Sequence, residues 1–340
     1  MDTSLSVTNG QVATVMTEIA DVAAATRESI GRYFSLVSFI PSTLLVGYVF
    51  VLLTSGAAHG NPHPALVVRA VSHLSLVGVA ALILLSVSIG LVLHPLQFAM
   101  VQLLEGYWGT GTVAQRARSA RIWWHWRRLS ALRAQSRYYE GQLKSRPAAH
   151  QDLHPLERIA MTSRRDEANR LTTDQPRLLD QMMPTRLGNV LRYYESAAGA
   201  PYKLSAIRVM PYLARVASPE DMNYVNDQRA NLDLAVRLCL VSVISFVVSL
   251  ALLWRDGLWL LAALIPYMLG LLSYRGAVVA AAEYGRALGS VIALNRFALY
   301  ERLHLSLPLD TSKERERNTT LGYILSYSNA ASIEYKHPGS

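Results

Sequence analysis

Leu238–Trp254 reads LCLVSVISFVVSLALLW, and after Arg255-Asp256 the chain resumes at Gly257–Tyr274 with GLWLLAALIPYMLGLLSY. Neither stretch contains Asp, Glu, Lys, Arg or His. A helix crossing about 30 Å of hydrocarbon needs roughly 20 apolar residues, with about 17 as the lower limit. Both stretches reach that limit. They are apolar on every side, whereas a surface helix of a soluble domain keeps a polar stripe. So short a connection predicts two antiparallel neighbouring helices. Trp254 and Trp259 flank the turn, where amphipathic rings favour the membrane interface.

Two further stretches follow the same pattern. Tyr33–Val68 lacks acidic, Lys and Arg side chains and contains the apolar block Phe34–Thr54, and Leu74–Leu93 lies between His73 and His94. The loop joining them carries the turn formers Gly60-Asn61-Pro62-His63-Pro64. Pro41 and Pro266 fall inside spans, where proline either kinks the helix or is simply tolerated. Four spans explain why 51% of the 340 residues are hydrophobic and 17% charged, against about 25% charged in an ordinary soluble domain. The only cysteine, Cys239, sits in the third span; an intrachain disulfide framework and a Cys-cluster metal site are excluded. If both termini are inside, the outer segments hold just Arg69 and Arg255 of the 33 basic residues. That is a strong positive-inside pattern.

The expected fold is therefore all-α and polytopic. Transmembrane hairpins at 34–94 and 233–274 flank a cytoplasmic helical domain at 95–232, and a helical extension and tail follow at 275–340. The expected location is the plasma membrane, with both termini cytoplasmic. Residues 1–33 carry Val12, Val15, Met16, Ile19, Val22, Ala23 and Ile30 at helical spacing. They predict an amphipathic cytoplasmic helix, and no basic leader precedes a short apolar stretch as in a cleaved signal.

The most distinctive cytoplasmic segment is 116–146, with nine Lys/Arg and a single acid, Glu140. It contains Arg121-Ile122-Trp123-Trp124-His125-Trp126-Arg127-Arg128. Its net +8 accounts for nearly all of the chain's +9. Basic residues interleaved with tryptophan suit anionic lipid headgroups or a protein partner. They also suit a helix packing its aromatic face on its own domain. Nucleic acid is disfavoured, because no recognisable nucleic-acid module accompanies the patch. Residues 147–175 are polar and poorly periodic and read as a linker. Within them His150 and His154 are four apart, but Pro155 disfavours helix there and a metal site is not expected. From 176 the pattern becomes helical again. Thr185 is placed to cap one helix, the second is interrupted near Pro211, and Ser218-Pro219-Glu220-Asp221 starts a helix running into the third span.

Beyond the fourth span Ala277, Ala281, Gly285, Gly289 and Ala293 recur every four residues. Small residues so spaced let another helix approach closely, either from a second copy in a homo-oligomer or from the chain itself. Ser242, Ser245 and Ser249 form a hydroxyl stripe on the third span, readable as pore lining or as helix packing. Asn318-Thr319-Thr320 matches a glycosylation sequon but is expected inside the cell.

Pro184–Leu191, Glu195, Tyr202 and the segment Phe297–Leu303 with Pro308 resemble those of actinobacterial multi-pass membrane proteins. The resemblance covers the second half of the chain. It implies the architecture and a bacterial plasma-membrane location, and it transfers no catalytic residue. The two-hairpin plan with a large cytoplasmic insert also resembles ion-driven motor stator subunits, at the level of fold alone.

The chain contains no Gly-x-Ser-x-Gly elbow, no phosphate-binding loop ending in Lys-Ser/Thr, no paired His/Cys metal set and no dinucleotide fingerprint. No catalytic residue, cofactor or metal is assigned. The expectation is a non-catalytic membrane protein whose cytoplasmic helical domain is an interaction or sensing platform. The alternatives are a homo-oligomeric channel lined by Ser242, Ser245 and Ser249, and a membrane-bound enzyme without a recognisable motif.

Overall fold

The computed structural model describes residues 34–60, 62–144, 155–326 and 335–336. The helix expected over 1–33 and the pair His150 and His154 lie outside the described residues. Every regular element among the described residues is helical. The chain divides into two units, the first drawn from Met1–Phe98 and Asp233–Tyr274, the second from Ala99–Leu232 and Arg275–Ser340.

In the first unit a π-helical turn, Phe34–Phe39, leads into α1 (Ile40–Thr54). The outer connection is not wholly loop. Left-handed Gly56 and Gly60 shape a 3-10 turn, and Pro64 then starts α2 (Pro64–Ser72). Helix α3 (Leu76–Leu93) is capped by Ser75, whose hydroxyl accepts from the Gly78 amide at 3.2 Å. It approaches α1 at Gly90, where a Cβ would lie 3.3 Å from the Ser38 carbonyl. Helix α9 (Pro219–Leu253) is followed by a 3-10 segment and α10 (Leu264–Arg302). Within this unit Gly270 faces Ser242, and the rings of Phe246 and Tyr267 meet at 5.5 Å.

Four helices are long and apolar enough to cross a membrane: Val37–Thr54, Leu76–Leu93, and apolar windows within Pro219–Leu253 and Gly257–Arg302. Leu84, Val247 and Ile265 on their outer faces are more than half exposed. Apolar surface of that extent is ordinary in contact with lipid and anomalous in water, which marks the protein as membrane-embedded.

The second unit contains most of α4 (Gln97–Glu105), then α5 (Thr112–Lys144), α6 (Pro155–Thr172), α7 (Arg186–Ala197), α8 (Ala206–Leu213) and α11 (Thr311–Ile324). Residues 219–232 of α9 and 275–302 of α10 belong to it as well. The expected caps form. Thr185 Oγ1 accepts from the Gly188 amide at 3.0 Å, and Ser218 Oγ accepts from the Asp221 amide at 3.1 Å. Thr185 also donates to the Glu105 carbonyl at 2.8 Å, so one hydroxyl ties the end of α4 to the start of α7. The core gathers Leu213, Ile292, Leu299, Tyr300 and Leu321. Tyr300 donates to Asn318 Oδ1 at 2.7 Å, and the Asn318 amide donates to the Tyr202 carbonyl at 2.9 Å. The sequon asparagine is fully buried and bonded in both directions.

Two local expectations are corrected. The polar stretch 147–175 is not simply linker, because 155–172 is helix α6, packed on α5. Its contact face is built from small and polar groups: Ala168 is buried, and Ser136 donates to Asn169 Oδ1. Such a face leaves no apolar period to read. Pro211 does not interrupt its helix, since α8 runs through it to Leu213.

At Gly285 a Cβ would lie 2.1 Å from Tyr194 Cγ, as close an approach as any glycine makes among the described residues of the second unit. Gly285→Ala should lower stability by about 1–3 kcal/mol, the usual cost of overpacking. Gly276→Ala, with nothing within 4 Å of its added Cβ, should cost nothing. Thermal unfolding of the two variants in the same detergent checks the contrast.

Candidate functional site

Helix α5 projects a basic-aromatic surface. Arg121, Trp123, Trp124, Arg127 and Arg128 are all exposed, Trp123 at 55% and Trp124 at 47%. Helical spacing sets the pairs, because residues three or four apart are neighbours. The Arg121 and Arg128 guanidiniums stand 5.1 and 5.3 Å from the Trp124 ring, and Arg127 stands 6.0 Å from Trp123. An exposed cation–π contact is worth about 0.5–1 kcal/mol, enough to bias each indole beside its arginines. Trp126 differs. It is half-buried and lines a groove formed with α6 and α7. The aromatic set is thus divided, with Trp126 turned to its own domain and Trp123 and Trp124 facing outward.

His125 marks the inner side of this surface. Burial lowers its pKa to about 4, assisted by the neighbouring charges of Arg121 and Arg128, while a ring N–H donated to the Pro184 carbonyl opposes the shift. His125 is therefore neutral at physiological pH.

The small-residue stripe of α10 is occupied within the chain. Ala277 and Ala281 are fully buried, Gly285 receives the Tyr194 ring, and a Cβ at Gly289 would lie 3.6–3.9 Å from Ala198; Ala293 is half-buried. Tyr194 donates to Asp174 Oδ1 at 2.9 Å, and Asp174 pairs with Arg286 at 3.3 Å. Burial and Asp174 push the Tyr194 phenol up to about 12. The serine stripe is likewise buried. Ser242 donates to the Leu238 carbonyl and Ser249 to the Ser245 carbonyl, both at 2.7 Å, and Ser249 Oγ lies 2.7 Å from the Tyr48 hydroxyl. Such back-bonding is how serine packs between helices.

One polar cluster was not singled out from the sequence. In the first unit Arg237 is fully buried and donates twice to Gln97 Oε1, at 3.0 and 2.7 Å. The Gln97 amide nitrogen donates in turn to the Asp233 carbonyl and to Asp233 Oδ1, both at 3.2 Å. The available signal was Asp233 and Arg237 four apart at the head of a span. The missing piece was Gln97, 136 and 140 residues away.

No family model, curated protein or solved structure matches the chain. Among the described residues no three His, Cys, Asp or Glu side chains group to hold a metal ion. The surface features present are guanidiniums, exposed indoles and a polar groove.

Two outcomes follow. Gln97→Leu removes the amide oxygen that accepts two Arg237 hydrogen bonds and should cost about 2–3 kcal/mol, the worth of hydrogen bonds to a charged group; denaturation in detergent measures it. For His125 the folded pKa lies below the ordinary 6.5, so the unfolded chain binds the extra proton first. Its contribution is complete above pH 6.5 and is lost as the pH falls toward 4. Melting temperature should drop across that window, and the drop should shrink in His125→Asn.

Proposed function

We propose that the protein is a non-catalytic multi-pass plasma-membrane protein with four spans in two hairpins. Its helical domain lies in the cytoplasm as an interaction and sensing platform, and α5 carries the recognition surface for anionic lipid headgroups. The observation that carries this reading is the outward display of Trp123 and Trp124, with one arginine guanidinium beside the first ring and two beside the second. Large exposed indoles disfavour water, suit the headgroup layer and need neighbouring cations to select an anionic one. The near absence of Lys and Arg from the outer segments supports the cytoplasmic placement. The resemblance to actinobacterial membrane proteins supports a bacterial plasma membrane.

A platform is favoured over a channel by where the polar side chains are spent. The hydroxyls of Ser242 and Ser249 are taken up by helix backbone, and Ser249 meets Tyr48 besides. Ala277 and Ala281 are buried within the chain, the Tyr194 ring lies against Gly285, and Ala198 lies beside Gly289.

The test uses the intact protein in neutral-lipid nanodiscs, mixed with sedimenting vesicles rich in phosphatidylserine. Co-sedimentation should fall with added salt as charges are screened. At about 1 kcal/mol per basic residue near an anionic surface, the paired change Arg127→Gln and Arg128→Gln should weaken binding about 30-fold. Equal binding by both forms would remove the lipid assignment.

A further inference from the structure

A groove of about 700 Å³ lies in the second unit between α5, α6, the segment 173–177 and Tyr193 of α7. Its walls hold three arginines, Arg133, Arg137 and Arg177, and two aromatic rings, Trp126 and Tyr193. The two acids on its lining are engaged elsewhere. Glu140 pairs with Lys144, and Asp174 pairs with Arg286 while accepting from Tyr194. None of the three arginines forms an ion pair with a described carboxylate.

Arg133 is held in place, its guanidinium donating to the carbonyls of Gln175 at 3.4 Å and Pro176 at 2.8 Å. Those two residues lead directly into Arg177. Burial, and then the Arg177 charge nearby, pulls the Arg133 guanidinium below its ordinary value. An anchored guanidinium with a second like charge nearby gains from an anion that bridges the two. Guanidiniums match phosphate oxygens in pairs, and the rings supply apolar faces for a flat group. The volume is that of a small-molecule site, about 300–1,000 Å³.

We propose that this groove binds a nucleoside phosphate, with Arg133, Arg137 and Arg177 on its phosphates and Trp126 and Tyr193 against its base. The site gives the platform a soluble ligand to sense. It uses none of the outward residues Arg121, Trp123, Trp124, Arg127 and Arg128, so it stands whether or not those bind lipid.

Equilibrium dialysis of labelled ADP against the intact protein in detergent tests it, with pyrophosphate and adenosine as part-ligands. Arg137 and Arg177 are exposed, and their replacement does not disturb the core. ADP should bind saturably. Arg137→Gln and Arg177→Gln should each weaken it about tenfold or more, as expected for loss of a charge-assisted bond. Trp126→Leu should weaken ADP and leave pyrophosphate unchanged, and the Arg127→Gln, Arg128→Gln protein should bind ADP as the parent does. Absence of saturable ADP binding at millimolar concentration would overturn the proposal. So would ADP affinity in both groove arginine variants equal to that of the parent protein, or an ADP affinity no better than that of pyrophosphate.

Discussion

Hydrocarbon offers a peptide group no hydrogen-bond partner, and the rest of the structure follows from that constraint. A single segment crossing it satisfies its own backbone only as a helix and does so most readily without charge, and four helices here are long and apolar enough. Polar side chains that remain in those segments must satisfy themselves locally. Ser42, Ser86, Ser242 and Ser249 each donate back to a carbonyl four residues earlier. Where a charge does enter the buried part of the first unit, at Arg237, it is answered by Gln97, and Gln97 by Asp233. A buried guanidinium without such company would cost several kcal/mol.

Charge excluded from the spans has to appear elsewhere, and its distribution defines the second unit. Acids and bases pair across that unit's helices. Glu314 is almost fully buried and accepts from Arg296 at 2.7 Å, while the Arg296 guanidinium sits 4.2 Å from the rings of Tyr202 and Phe297. The basic excess collects on α5, whose single acid, Glu140, is paired with Lys144. That surplus divides in two. One part stands outward beside Trp123 and Trp124, and the other lines the groove with Trp126. The proposed lipid surface and the proposed ligand groove would thus draw on different faces of one helix.

Most of the helical plan was legible in sequence because it rests on strong local physics. Uninterrupted apolar runs locate the spans, and Thr185 and Ser218 cap the helices they precede. The long helix beginning at Pro219 runs unbroken into the third apolar stretch. What escaped was nonlocal or polar. Helix α6 packs through Ala168 and Asn169, a face with no hydrophobic period. The division among the tryptophans depends on which neighbours cover Trp126, and adjacent letters do not encode that. The Gln97 cluster and the groove need side chains brought from distant segments, so neither leaves a spacing to find.

The central claim is that the helical domain of the second unit faces the cytoplasm while the first unit spans the membrane. Cys239, the single native thiol, is buried and can be replaced by serine to clear the background. His63→Cys and Thr173→Cys, both at exposed positions, then report one side each to a membrane-impermeant maleimide. The account predicts that intact cells label position 63 and protect position 173 until the membrane is opened. Labelling of position 173 in intact cells, with position 63 protected, would contradict it.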